Sequence, residues 1–119
     1  MSNFEIEKEE RINSYKENTL LSDSAQKFFE DSVNAKYCYN FSRLGFPIIQ
    51  YPQDIIALQE IIFNTKPNCI LETGFARGGS AIFYASILDM INNYSKVISV
   101  DIDINKLAFE NIKNTRYSN

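Results

Sequence analysis

Three of the chain's four glycines, Gly74, Gly78 and Gly79, fall within six positions of one another, in the run Ile70-Leu71-Glu72-Thr73-Gly74-Phe75-Ala76-Arg77-Gly78-Gly79-Ser80-Ala81. A short apolar segment leads into this run and an apolar segment of helical length leads out of it. Glycine at a strand-to-helix turn lets the backbone bend sharply and lets another group approach it closely. The helix that follows points free N–H groups and the positive end of its dipole toward the space above the loop. A tight turn with close helix packing would use the same glycines, so the loop taken alone leaves both readings open.

The flanking pattern fixes the context. Cys69-Ile70-Leu71 reads as a short buried strand, too apolar throughout for a half-exposed one. Ser80 to Asn92 reads as an apolar helix, Lys96 to Asp101 as a second strand, and Asn105 to Asn114 as an amphipathic helix carrying Leu107, Ala108 and Ile112. Upstream, Pro52 and Asp54 open a helix that runs to about Asn64 with Ile55, Leu58, Ile62 and Phe63 inward, and Lys66-Pro67-Asn68 stops it. Strand, glycine loop, helix and strand in that order specify a right-handed βαβ crossover, hence a parallel sheet with flanking helices.

Residues 37–53 read as an aromatic, proline-containing loop. Its five aromatics are too many to leave in water, so it either covers the core or walls a pocket. Before it, Ser22 or Asp23 caps a helix whose apolar positions Ala25, Phe28, Phe29 and Val33 follow helical spacing, ending near Lys36. The division expected is a charged N-terminal arm over residues 1–21, helical in part, and an α/β unit over residues 22–119.

Composition removes several chemistries. The 119 residues contain no histidine, which rules out, within this chain, a Ser-His-Asp triad, a Cys-His pair, an HExxH zinc site and imidazole acid–base work. Cys38 and Cys69 lie 31 positions apart, so no CxxC pattern exists; both read as reduced, small apolar residues of a cytoplasmic protein. Residues 1–36 hold eight acids and five bases, and residues 37–119 seven of each. An acidic leader before a neutral body gives no electrostatic footprint for nucleic acid. The charged N-terminal residues do not read as a signal peptide, and the apolar stretch from Ala81 to Ile91 is too short to span a bilayer.

Two acids frame the loop. Glu72 lies at the carboxyl end of the first strand and Asp101 at the corresponding end of the second, where doubly wound sheets bind ligands; an acid after the second strand accepts ribose hydroxyls. Glu72 also selects among ligands. A pyrophosphate would be repelled there, whereas S-adenosylmethionine brings an ammonium and a sulfonium and a single carboxylate for the helix N-terminus. The spacing G-x-x-x-G-G further departs from the dinucleotide pattern G-x-G-x-x-G, so adenosylmethionine is favoured over NAD. Asp103 reads either as a second ribose acid or as a solvated cap. Arg77 and Arg43 read as solvated charges or helix-end contacts rather than substrate ligands, and Phe83 and Tyr84 as core.

The run Gly45-Phe46-Pro47-Ile48-Ile49-Gln50-Tyr51-Pro52-Gln53-Asp54, then Lys66-Pro67, Glu72-Thr73-Gly74, Gly78-Gly79-Ser80-Ala81 and Asp101-Ile102-Asp103-Ile104, closely resembles the cephalosporin hydroxylase family, also described as rhamnosyl O-methyltransferase-like. Order and spacing match over about residues 37–110. The resemblance implies a Rossmann-like S-adenosylmethionine-dependent methyltransferase fold whose bacterial members methylate hydroxyls of sugars, glycolipids or related small molecules. It implies that Glu72, Gly74, Gly78, Gly79 and Ser80 cradle the methionine part of the cofactor, that Asp101 holds the ribose, and that Gly45 to Asp54 helps close the pocket. Family members are longer, with further strands after the acidic one. Catalytic residues and the carboxylates for a divalent metal such as Mg would lie in that later part, so no catalytic residue and no metal ligand is assigned in this chain. The expectation is the first two strands of the sheet, a truncated chain or the first half of a split protein, whose incomplete sheet favours self-association. Two alternatives remain: an NAD(P)-binding oxidoreductase domain, or a non-catalytic fragment acting by association.

Overall fold

A computed structural model describes residues 1–91 and 94–118. The chain divides into two compact units, residues 1–36 and 37–119.

The first unit is helical. Helix α1, Asn3–Ser14, begins with a capping box: the Ser2 hydroxyl accepts from Glu5 N while the Glu5 carboxylate accepts from Ser2 N. The pattern Ser-x-x-Glu announces it in the sequence. Helix α2, Thr19–Asn34, is capped by Asn18, whose side chain accepts from Leu21 N. Helix α2 therefore starts one turn before the expected caps Ser22 and Asp23, which lie inside it. Asn18 reaches the free amides first, and a single cap suffices. Phe28, Phe29 and Val33 stay exposed on α2.

The second unit holds the site. Residues 37–53 are not a loop throughout: strands β1, Phe41–Arg43, and β2, Phe46–Ile48, form an antiparallel hairpin. Its two-residue turn, Leu44-Gly45, has φ of 49° and 85°, the double positive φ that matches strand twist in tight hairpins. Leucine is a poor signal for such a turn and Pro47 inside β2 argues against a strand, which hides the hairpin from a sequence reading. Helix α3, Pro52–Thr65, starts on its proline and ends where Lys66 turns left-handed before Pro67. Ile55, Leu58 and Ile62 face the core as expected. Phe63, by contrast, is 56% exposed, because it sits about 100° round the helix from Ile62.

Strand β3, Cys69–Thr73, and strand β4, Lys96–Val100, pair in parallel, with helix α4, Gly79–Ile91, between them in sequence. Asn92, the expected end of that helix, lies outside the described residues. Helix α5, Lys106–Lys113, follows, capped by Asn105. The core is Ile48, Ile62, Phe83, Ile87 and Leu88, with Ile70 and Val97 of the sheet packed against it. Among the described residues only one face of the β3–β4 sheet is covered. Leu71 is 67% exposed and Ile98 50%, so β3 is half-exposed rather than buried on both faces. Strand side chains alternate, and α4 packs over one set only.

Candidate functional site: a glycine-loop cleft

Backbone conformation shapes the loop. Gly74 N donates to Val100 O at 2.8 Å, carrying the strand pairing one residue past β3. The chain then takes positive φ at alternate residues: Gly74 at 92°, Ala76 at 46° and Gly78 at 79°. A side chain at such φ costs about 1–2 kcal/mol, which glycine avoids twice and Ala76 does not. Asp101 compensates. One of its carboxylate oxygens accepts from Phe75 N at 2.7 Å and Ala76 N at 3.1 Å, and the other from Asp103 N at 3.1 Å. These amide bonds, that from Asp103 foremost, hold the Asp101 carboxyl below its ordinary pKa, since they stabilise the charged form.

The three loop glycines do different work. A Cβ on Gly74 would meet nothing within 4 Å, so its Cα faces open space. A Cβ on Gly78 would lie 2.7 Å from the Ile112 side chain of α5, beside buried Phe75. A Cβ on Gly79 would collide with the Pro47 carbonyl. Gly79 is therefore what lets the β1–β2 hairpin sit against the start of α4.

That contact closes a cleft of about 190 Å³. Its floor is Glu72, Thr73 and Gly74, one wall is Gly79, Ser80 and Tyr84 of α4, and the other is Pro47 to Gln50. Glu72 accepts from the Ser99 hydroxyl at 2.5 Å, across the parallel register that pairs the two residues. Burial first, and the Glu72 charge second, raise the Tyr84 phenol above its ordinary pKa. Of the residues singled out from sequence, Glu72, Gly74, Gly79 and Ser80 meet at the cleft. Gly78 packs against Phe75 and Ile112, and Asp101 binds the Phe75 and Ala76 amides; neither lines the cleft itself. Phe83 is core at 2% exposure, and Tyr84 is half-buried, packing against that core while also lining the cleft. Arg77 is exposed at the cleft mouth. Arg43 is not a solvated charge: it is half-buried, lies 5.8 Å over the Phe83 ring and donates Nε and Nη2 to the Ser86 hydroxyl.

Among the described residues no group of three or more His, Cys, Asp or Glu side chains is placed to hold a metal ion. No helix among them is long and apolar enough to cross a membrane.

Parallel strands joined through a helix, with a glycine loop and acids near their carboxyl ends, make a small Rossmann-like α/β unit, with two parallel strands among the described residues. The family model described as Rhamnosyl O-methyltransferase/CmcI matches residues 35–118, and the chain belongs to that family. The chain is also similar to Rhamnosyl O-methyltransferase of Mycobacterium leprae (strain TN), at 36% identity over 59 residues, 50% of this chain and 26% of that protein. The chain thus covers about a quarter of that relative's length. No solved structure matches it.

Proposed function

We propose that this chain supplies the S-adenosylmethionine-binding part of an O-methyltransferase acting on a hydroxyl of a sugar, glycolipid or related small molecule. The observation that carries the reading is the cleft at the carboxyl end of β3, where a charged acid, an open glycine and a helix N-terminus converge. The residues fit the cofactor's amino-acid end. Glu72 suits its ammonium, and the first amides of α4 at Gly79 and Ser80 suit its carboxylate. The cleft is smaller than the 300–1,000 Å³ typical of a whole small-molecule site, so it takes the methionine part, with the ribose toward Asp101 at the end of β4. When bound, the cofactor supplies an electrophilic methyl group. The chain's own part is to bind and orient it. The acceptor hydroxyl, its base and any divalent metal belong to residues beyond this site. The Mycobacterium leprae relative, by its name, acts on a rhamnosyl group, which supports a sugar hydroxyl as acceptor.

Titration calorimetry with S-adenosylhomocysteine tests this reading. Binding is expected for the chain, and Gly74→Val and Asp101→Ala are each expected to weaken it at least tenfold. The first places a β-branched side chain at φ 92° on the cleft floor, and the second releases the loop. Undiminished affinity in both variants, or tighter binding of NADH than of adenosylhomocysteine, would overturn the assignment.

A further inference from the structure

Glu72 is the one charged group on the cleft floor, and its direction is set from outside the cleft. Ser99 is not among the lining residues; it stands on β4, directly across the parallel register from Glu72, so both side chains project to the α4 side of the sheet. The Ser99 hydroxyl donates to Glu72 Oε1 at 2.5 Å. Oε2 takes no hydrogen bond among the described residues. A glutamate side chain has three rotatable torsions and loses roughly 1.5–2 kcal/mol of rotamer freedom when fixed. The hydroxyl meets part of that cost before any ligand arrives, since a hydrogen bond to a charged acceptor is among the stronger kinds. Glu72 and Tyr84 both line the cleft.

We propose that Ser99 is a positioning residue: by holding Oε1, it presents Oε2 of Glu72 to the α-ammonium of the bound cofactor, and so sets the preference of the cleft for ligands that carry an amino group there. The proposal rests on the adenosylmethionine reading above. Ser99 does not line this cleft and would act on it through Glu72. Its effect is confined to the ammonium, because the ribose and carboxylate ends of the ligand meet other residues.

The experiment compares two probes by calorimetry on the full chain: S-adenosylhomocysteine and its des-amino analogue, which keeps the carboxylate and lacks the ammonium. In the unmodified chain the amino compound should bind more tightly. In Ser99→Ala the affinity ratio of the two should fall about tenfold, the scale of one hydrogen bond to a charged group, with the des-amino compound changed less than twofold. Ser99→Thr retains a hydroxyl at the same position and should restore the ratio. Equal loss of both probes in Ser99→Ala, including loss through misfolding, overturns the positioning role, as does an unchanged ratio. Absence of adenosylhomocysteine binding to the unmodified chain overturns the cofactor reading and this proposal with it. Normal binding with an unchanged ratio overturns the positioning role alone.

Discussion

At the scale of single residues, Asp101 shows how one side chain can serve a fold before it serves a ligand. Its carboxylate gathers amides from Phe75, Ala76 and Asp103, and so fixes the left-handed turns that shape the cleft. Because these bonds lower its folded pKa relative to the ordinary 3.8, the stabilisation is fully present above the unfolded value. It is lost as pH falls through 3.8 toward the lower folded value. Melting curves at a series of acid pH values are expected to show the chain losing stability over that window, with a shallower fall in Asp101→Asn. Parallel pH profiles for the two would contradict the role. The acid itself is legible in sequence as the last residue of a strand pattern. Its two loop partners, Phe75 and Ala76, are not, since they lie 26 and 25 positions away.

At the scale of elements, the hairpin and α4 form one construction. Gly79 admits the Pro47 carbonyl, and Arg43 reaches from β1 to Ser86 on α4 while covering Phe83. Removing a half-buried guanidinium leaves Ser86 without this donor and uncovers the ring. Arg43→Ala is therefore expected to cost about 1–2 kcal/mol in urea unfolding, and to speed amide exchange at the Phe41–Ile48 pair. Exposed Arg77 provides the contrast, with Arg77→Ala expected within about 0.5 kcal/mol of the unmodified chain. Nothing local in the sequence distinguishes the two arginines. What separates them is Ser86, 43 positions downstream of Arg43 on α4. The expectation that Gly45 to Asp54 helps wall the pocket agrees with Pro47 to Gln50 at the cleft, although the hairpin that puts them there was hidden.

At the scale of the molecule, the described residues clothe the parallel strand pair on one face only. Leu71, Ile98 and Val100 stand exposed on the other, a row of apolar side chains that water does not favour. We propose that the chain self-associates through this face. Sedimentation velocity is expected to show concentration-dependent association, and Leu71→Lys with Ile98→Lys together to yield a monomer that still melts cooperatively. A monomer at all concentrations would exclude the association. The apolar run Cys69-Ile70-Leu71 foretells a strand, but it cannot say that one of its faces lacks a cover, because that depends on which elements the rest of the chain supplies.

The sequence by itself determined what depends on near neighbours: the glycine loop between strand and helix, the helix started by Pro52 and stopped before Pro67, the order that makes β3 and β4 parallel, and the two acids at their ends. Backbone sterics and periodicity act over a few residues and are written locally. The tertiary structure alone decided that Gly78 packs against Ile112 while Gly74 opens onto the cleft, that Asp101 binds the loop, that Ser99 holds Glu72, and that Arg43 is half-buried. Each of these is a contact between residues distant in sequence, and its energy exists only once the chain has folded to bring them together.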